Sequence, residues 1–247
     1  MEWVVACMFK DERPLLREWV EHYLAEGASH LYLVDNGSTD RPEEVLAEFA
    51  ARVTLFKDAH RQPEGTQRAL LNKHVLPLLT PNVWVFVCDV DEYLYAKSGT
   101  VAGCLEAATQ NKVWVPWKVF GSSGHKAQPP SVVAGFTRRA PDVSQPFSRR
   151  GSHLGTGKML ARHVLELGVH EAVVRGPQGL HVLGALQLNH YMFMSRDYYR
   201  DVKCARGGGE TGHRTGKYSM AYYAAAEPGC NQVADTELLE KRGSNKT

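Results

Sequence analysis

Asp89-Val90-Asp91-Glu92 places three carboxylates directly after the apolar run Val83-Trp84-Val85-Phe86-Val87-Cys88. In extended backbone, residues two apart point the same way, so Asp89 and Asp91 would face one point. Carboxylates that close repel unless a cation joins them. Hard oxygen donors favour Mg²⁺ or Mn²⁺ over zinc, and such ions complete their shells with substrate phosphates. A helix cap or an ordinary salt bridge is the competing account of an Asp-x-Asp pair. A second polar segment, Asp35-Asn36-Gly37-Ser38-Thr39-Asp40, follows the apolar run Leu31-Tyr32-Leu33-Val34. Its carboxylate suits a ribose hydroxyl or nucleobase N–H, and Gly37 admits close backbone approach. A turn followed by a helix cap accounts equally well for Ser38 to Asp40.

The elements that must position these residues are legible on either side. Trp3 to Phe9 is a continuous apolar run, as expected of a strand covered on both faces. Pro14 opens a helix with Leu15, Leu16, Trp19, Tyr23 and Leu24 on one face, and Gly27 closes it. Asp40 with Glu43 predicts a capping box for a helix carrying Val45, Leu46 and Phe49. Val53–Phe56 predicts a third strand, Thr66–Leu79 a helix, and Val83–Cys88 the most buried strand. This β-α alternation over the first 90 residues predicts an α/β fold with parallel strands flanked by helices. Ligands then bind at the carboxyl ends of the strands, where both acidic segments lie. A helix near Thr100–Thr109 and a strand over Val113–Phe120 follow. From Gly121 to Gly157 the chain is rich in Gly, Pro, Ser and Arg, before two short apolar stretches at 168–170 and 186–191.

Composition bounds the alternatives. The chain has 247 residues, 43% hydrophobic and 23% charged, as in an ordinary globular protein. Lys plus Arg number 29 against 27 Asp plus Glu, a net charge of +2, which argues against nucleic acid as a partner. Five widely spaced cysteines, with no Cys-x-x-Cys pair, argue for free thiols and a reducing compartment. Cys7 and Cys88 end strands expected to be neighbours, so two free thiols should lie near each other there. The first apolar run lacks the basic lead and cleavage site of a signal peptide, and no run reaches the 18 or so residues of a membrane span. A cytoplasmic protein, or a soluble fragment of a larger enzyme, is the expectation. No G-x-G-x-x-G follows the first strand and no G-x-x-x-x-G-K-[ST] occurs anywhere, which lowers dinucleotide redox and P-loop chemistry.

Four motifs in order, Phe9-Lys10-Asp11-Glu12, Glu18-Trp19-Val20-Glu21-His22-Tyr23, Val34 to Asp40 and Cys88 to Leu94, resemble the family 2-like and family 92 glycosyltransferases. Gln67 with Asn72, Phe120 to His125, Lys158, Gly168-Val169-His170, and Asn189-His190-Tyr191 with Ser195 extend the similarity over roughly residues 3–207. The resemblance implies the nucleotide-diphospho-sugar transferase fold called GT-A, a mixed sheet flanked by helices. It implies one domain over 1–247, with a nucleotide-binding half (1–95), an acceptor and metal-completing half (96–220) and a C-terminal tail (221–247). It also implies a nucleotide-sugar donor, a UDP-sugar first, a glycan or glycoprotein acceptor, and inversion at the sugar carbon. Lys10, Glu12, Asp35, Asn36, Gln67, Asn72 and Asp89 are then expected around the nucleotide. Asp89 and Asp91 are expected to hold Mn²⁺ or Mg²⁺, with His190, or alternatively His170, as third ligand. For either histidine an ordinary structural role competes.

Inversion needs a carboxylate to take the acceptor's proton, and Glu171 beside His170 is the candidate, with Asp142 in a Pro-rich loop less suited. Phe120 to His125, following the strand after the metal motif, is expected on the acceptor side. Lys203, Arg206, His213, Arg214 and Lys217 surround Gly207-Gly208-Gly209 and Gly212, a basic segment able to close over a diphosphate or to be a plain surface loop. Two rival functions use the same residues: a nucleotide- or carbohydrate-binding module without turnover, and a metal-dependent nucleotidyltransferase.

Overall fold

The computed structural model describes residues 1–142, 156–206 and 216–244. Its strands and helices run β1 (Trp3–Phe9), α1 (Arg13–Ala25), β2 (His30–Asp35), α2 (Glu43–Leu46), β3 (Val53–Lys57), α3 (Thr66–His74), β4 (Trp84–Val87), β5 (Glu92–Ala96), α4 (Val101–Glu106) and β6 (Lys112–Val119). Then come α5 (Val132–Gly135), β7 (Arg138–Arg139), β8 (Gly157–Ala161), β9 (Val164–Leu167), β10 (Ala172–Val174), β11 (His181–Val182) and β12 (Leu186–His190). The chain continues through α6 (Arg196–Tyr198), a π-helical turn (Tyr199–Lys203), α7 (Cys204–Arg206), α8 (Met220–Ala226), β13 (Val233–Ala234) and α9 (Glu237–Ser244).

One sheet dominates, in the order β3-β2-β1-β4-β8-β6-β12-β5, with β11 beside the start of β6. The first four strands are parallel, as the alternation of strand and helix predicts. The sheet then becomes mixed: β8 runs antiparallel between β4 and β6, β12 is parallel to β6, and β5 is antiparallel to β12. Strands β1 and β4 are buried along almost their whole length, which explains why they read as unbroken apolar runs. The main core unites Trp3, Trp19 and Tyr23 with Trp84, Phe86, Leu188 and Phe193, so both halves of the chain share it.

Several local expectations change. The capping box is not formed: Asp40 accepts from the Arg13 backbone N–H at 2.8 Å and so caps α1 across the chain, while α2 is a four-residue helix begun at Pro42. Residues 221–244, expected as a tail, carry α8, β13 and α9, with Cys230 and Leu238 buried. All five cysteines are free, with Cys7, Cys88 and Cys230 buried.

Candidate active site

The mixed sheet gathers its functional ends on one edge. Parallel β1, β2, β4 and β12 arrive there with their last residues, antiparallel β8 and β5 with their first. This brings Lys10, Asp35, Asp89, His190, Lys158 and Glu92 to a common rim. In the ladder His190 sits opposite Glu92 of β5 and Val119 of β6.

The acidic segment is a turn rather than an extended strand, because the chain reverses there from β4 into β5. Glu92 N–H donates to the Asp89 carbonyl at 3.1 Å, Asp89 N–H donates to the Glu92 carboxylate at 2.8 Å, and Val90 is buried beneath. Helix α1 grips this turn through the second motif. Trp19 Nε1 donates to the Asp89 carbonyl (3.2 Å), Tyr23 hydroxyl donates to the Glu92 carbonyl (2.9 Å), and His22 Nε2 meets the Leu94 carbonyl (2.8 Å). Glu18 accepts from Ser131 and from Arg242, tying α1 to α5 and α9.

Two lysines meet the three acids, Lys203 at Asp91 and Lys158 shared by Asp89 and Glu92. Asp91 pairs with the Lys203 ammonium, and its other oxygen stands 3.6 Å from His190 Nε2. Although burial works the other way, Lys203 and then His190 hold the Asp91 carboxyl well below the usual range. Asp89, whose side chain is 42% exposed, accepts from Gln67 Nε2 at 3.0 Å and meets Lys158 Nζ at 3.5 Å. Lys158 also meets Glu92 at 3.3 Å, both side chains being fully buried. Burial pushes the Glu92 carboxyl up to about 8 against the pull of Lys158. The Lys158 ammonium, despite its burial, is kept firmly charged by Asp89 and then Glu92. Burial lowers His190, so its imidazole is neutral at physiological pH.

Gln67, Asp89, Asp91, His190 and Lys203 line a cleft of about 320 Å³, while Lys158 and Glu92 are fully buried outside its lining. Of the residues expected at the nucleotide, Lys10, Glu12, Asn36, Gln67 and Asp89 line it, as do both histidines. Trp117 separates the two rings, 4.3 Å from His190 and 5.4 Å from His170, and only His190 reaches Asp91. Glu12 is buried and pairs with Arg206 at 2.5 Å. Asp35 stands just outside the lining, where it accepts from Ser38 N–H at 2.7 Å and shapes the turn at Gly37 (φ +79°). Asn72 lies away from the cleft: it holds both backbone groups of Leu167, and so fixes the β9–β10 hairpin whose tip, Val169-His170, does line the cleft. Glu171 is exposed at that hairpin and Asp142 is tied to Lys118 and Arg139, so neither carboxylate lines the cleft. In the Phe120–His125 segment, Ser122 bonds Glu227 and Ser123 N–H bonds Asn231, which holds the C-terminal elements, while His125 bonds the Gly135 carbonyl of α5. Of the basic segment, Lys203 and Arg206 belong to the π turn and α7, and Lys217 lines the cleft; Gly207-Gly208-Gly209, Gly212, His213 and Arg214 lie outside the described residues.

Arg61 is a lining residue that the sequence did not flag. Its Nε donates to Asn36 Oδ1 at 3.0 Å, while Asn36 Nδ2 donates to the Asp58 and His60 carbonyls at 2.9 Å each. The sequence signal was thin, since Arg61 stands in a polar loop with no periodic pattern.

At the Mn²⁺ or Mg²⁺ site expected on Asp89, Asp91 and His190, no three His, Cys, Asp or Glu side chains among the described residues converge on one point; the Lys203 ammonium takes Asp91 Oδ2, and Asp91 Oδ1 is buried without a hydrogen bond.

A parallel half ending in a polar rim is continued by a mixed half that returns a histidine to the acidic turn. Residues 4–174 match the model of glycosyltransferase family 92, and the chain belongs to that family. No curated protein matches it significantly. Among solved structures, S. aureus TarS 1–349 aligns with a TM-score of 0.39 and 11% identity over 66% of this chain and 47% of that one. The same TarS fragment in complex with UDP-GlcNAc aligns at 0.36 and 14% identity over 53% and 40%. HddC from Yersinia pseudotuberculosis aligns at 0.36 and 11% identity over 85% and 88%. The chain thus spans less than half of the TarS fragment. No described helix is long and apolar enough to cross a membrane.

Proposed function

We propose that this glycosyltransferase takes its sugar from a nucleotide-diphosphate donor, a UDP-sugar first, and passes it to a hydroxyl of a glycan or glycoprotein. The observation that supports this most directly is the cleft itself, at the carboxyl ends of β1 and β4, where cationic side chains ring the acidic turn. In the transfer, the bond from the anomeric carbon to the diphosphate oxygen breaks and its electron pair leaves with the diphosphate. The acceptor oxygen bonds to that carbon and gives up its proton to a general base. Attack from the face opposite the departing group gives inversion, the outcome the family resemblance implies.

Negative charge builds on the leaving diphosphate, so fixed positive charge in a water-poor cleft lowers the barrier. Arg61, aimed by Asn36, lines the cleft with Lys10, whose carbonyl accepts from Arg206 at 3.2 Å, and Lys203 lines it at Asp91. The test is a screen of UDP-, GDP- and dTDP-sugars with glycan acceptors, reading released nucleotide and the anomer of the product by NMR. One donor should be consumed with sugar appearing on an acceptor, and Asp91→Asn should slow turnover by roughly 100-fold. Release of pyrophosphate without sugar transfer, or no consumption of any donor, would defeat the proposal.

A further inference from the structure

Resting on the nucleotide-sugar reading above, we propose that the cation facing the donor's diphosphate is part of the chain: Lys203, seated between Asp91 and the Met192 carbonyl, so that donor binding needs no divalent ion.

Three independent observations carry this. The first is the seat. Lys203 is almost wholly buried, yet it lines the cleft, donating to Asp91 Oδ2 and, at 2.6 Å, to the Met192 carbonyl. Its third N–H remains for a ligand oxygen. The Asp91 backbone is fixed in turn, since its carbonyl accepts from Tyr191 N–H at 2.8 Å.

The second is the device that delivers it. Ser195 caps α6 by accepting from Tyr198 N–H at 3.2 Å, and the chain then widens into the π-helical turn that ends at Lys203. Such widened turns recur at functional sites because they re-aim side chains at the cost of regular helix geometry. The Tyr199 hydroxyl of the same turn donates to the Lys217 carbonyl, which brings a second lysine to the cleft on the same support.

The third is charge. The described lining carries five cations, Lys10, Arg61, Lys203, Arg206 and Lys217, against three carboxylates, Glu12, Asp89 and Asp91. An excess of two positive charges matches the two negative charges of a sugar diphosphate ester. A divalent ion added beside Asp91 would raise that excess to four, with the Lys203 ammonium as its near neighbour. The internal ammonium makes the charges balance without it.

The experiment is calorimetric titration with UDP in EDTA and in Mn²⁺, on the wild type, Lys203→Met and Lys203→Arg, with circular dichroism to confirm folding. The wild type should bind UDP about equally in both solutions. Lys203→Met should bind roughly tenfold or more weakly in EDTA and recover part of that in Mn²⁺, because Asp91 is freed. Lys203→Arg, which keeps the charge, should stay independent of the metal and serves if the methionine variant does not fold. Wild-type binding that appears only with Mn²⁺ overturns the inference and leaves the nucleotide-sugar reading standing. Folded Lys203→Met with unchanged affinity overturns it as well. If UDP, GDP and dTDP all fail to bind in either solution, the nucleotide-sugar reading itself fails and this inference with it.

Discussion

Both amide hydrogens of Asn36 go to backbone carbonyls and its oxygen accepts from Arg61, so its role in the cleft is to aim a guanidinium. A charged hydrogen bond to a bound diphosphate is worth about 1.5–3 kcal/mol, so Arg61→Ala should weaken UDP binding by roughly 10- to 100-fold. Asn36→Ala should weaken it less, and the double variant should be no worse than Arg61→Ala alone, since both changes remove one interaction. Titration of the three variants with UDP checks this; additive losses would show that Asn36 acts on its own. Asn72 teaches the same lesson on a larger scale. It resembles a nucleotide ligand by its place in the motif order, yet its side chain holds the β9–β10 hairpin. A single sequence shows that a polar residue is needed there but not which way it points.

Among the elements, α1 does the most for the acidic turn, and its buried His22 makes that support sensitive to pH. Burial, and next Arg242, hold His22 well below its ordinary value, so the folded chain keeps it neutral while the unfolded chain protonates it near pH 6.5. A depressed folded value means stability is complete above about pH 6.5 and falls as the solution is acidified, by at most about 1.4 kcal/mol per pH unit for one proton. Urea midpoints from pH 7.5 to 5.5 should therefore fall less steeply for His22→Gln than for the wild type. Parallel slopes would contradict this. At the hairpin tip, a Cβ on Gly168 would lie 2.4 Å from the Glu171 carbonyl oxygen, so Gly168→Ala should loosen the tip that carries His170 and lower thermal stability by differential scanning calorimetry.

Strands β1 and β4 were legible because burial on both faces leaves an uninterrupted apolar record. Strand β5 was not, since its first residue is Glu92 and its Tyr93-Leu94-Tyr95 run reads as the end of an acidic motif. Strand β8 opens with Gly157-Lys158 beside a Gly- and Arg-rich stretch, and nothing local shows that Lys158 will be buried under Asp89. The acids of the site were visible from their place after a buried strand. Lys158 and Lys203 stood out by the resemblance and in the basic segment, but their pairing with the acids was not legible because it forms only through long-range folding.

For the whole molecule, α9 closes the core against α1 and β5. Leu238 is buried, Lys241 pairs with the buried Glu26 at 2.5 Å, and Arg242 pairs with Glu18 at 2.7 Å. Removing residues 237–247 exposes an apolar site and leaves Glu26 without its partner, so urea unfolding should show a loss of about 3 kcal/mol or more. A truncated chain with an unchanged midpoint would show α9 to be an ornament of the fold.

The thiols give the sheet its own alarm. Cys7, Cys88 and Cys230 are sealed in the interior, while Cys104 and Cys204 are partly open to water. An alkylating reagent should mark Cys104 and Cys204 first and reach Cys7 and Cys88 only when the strands part, so mass spectrometry of those two sulfurs would time the opening of β1 from β4, and Cys230 that of the C-terminal turn.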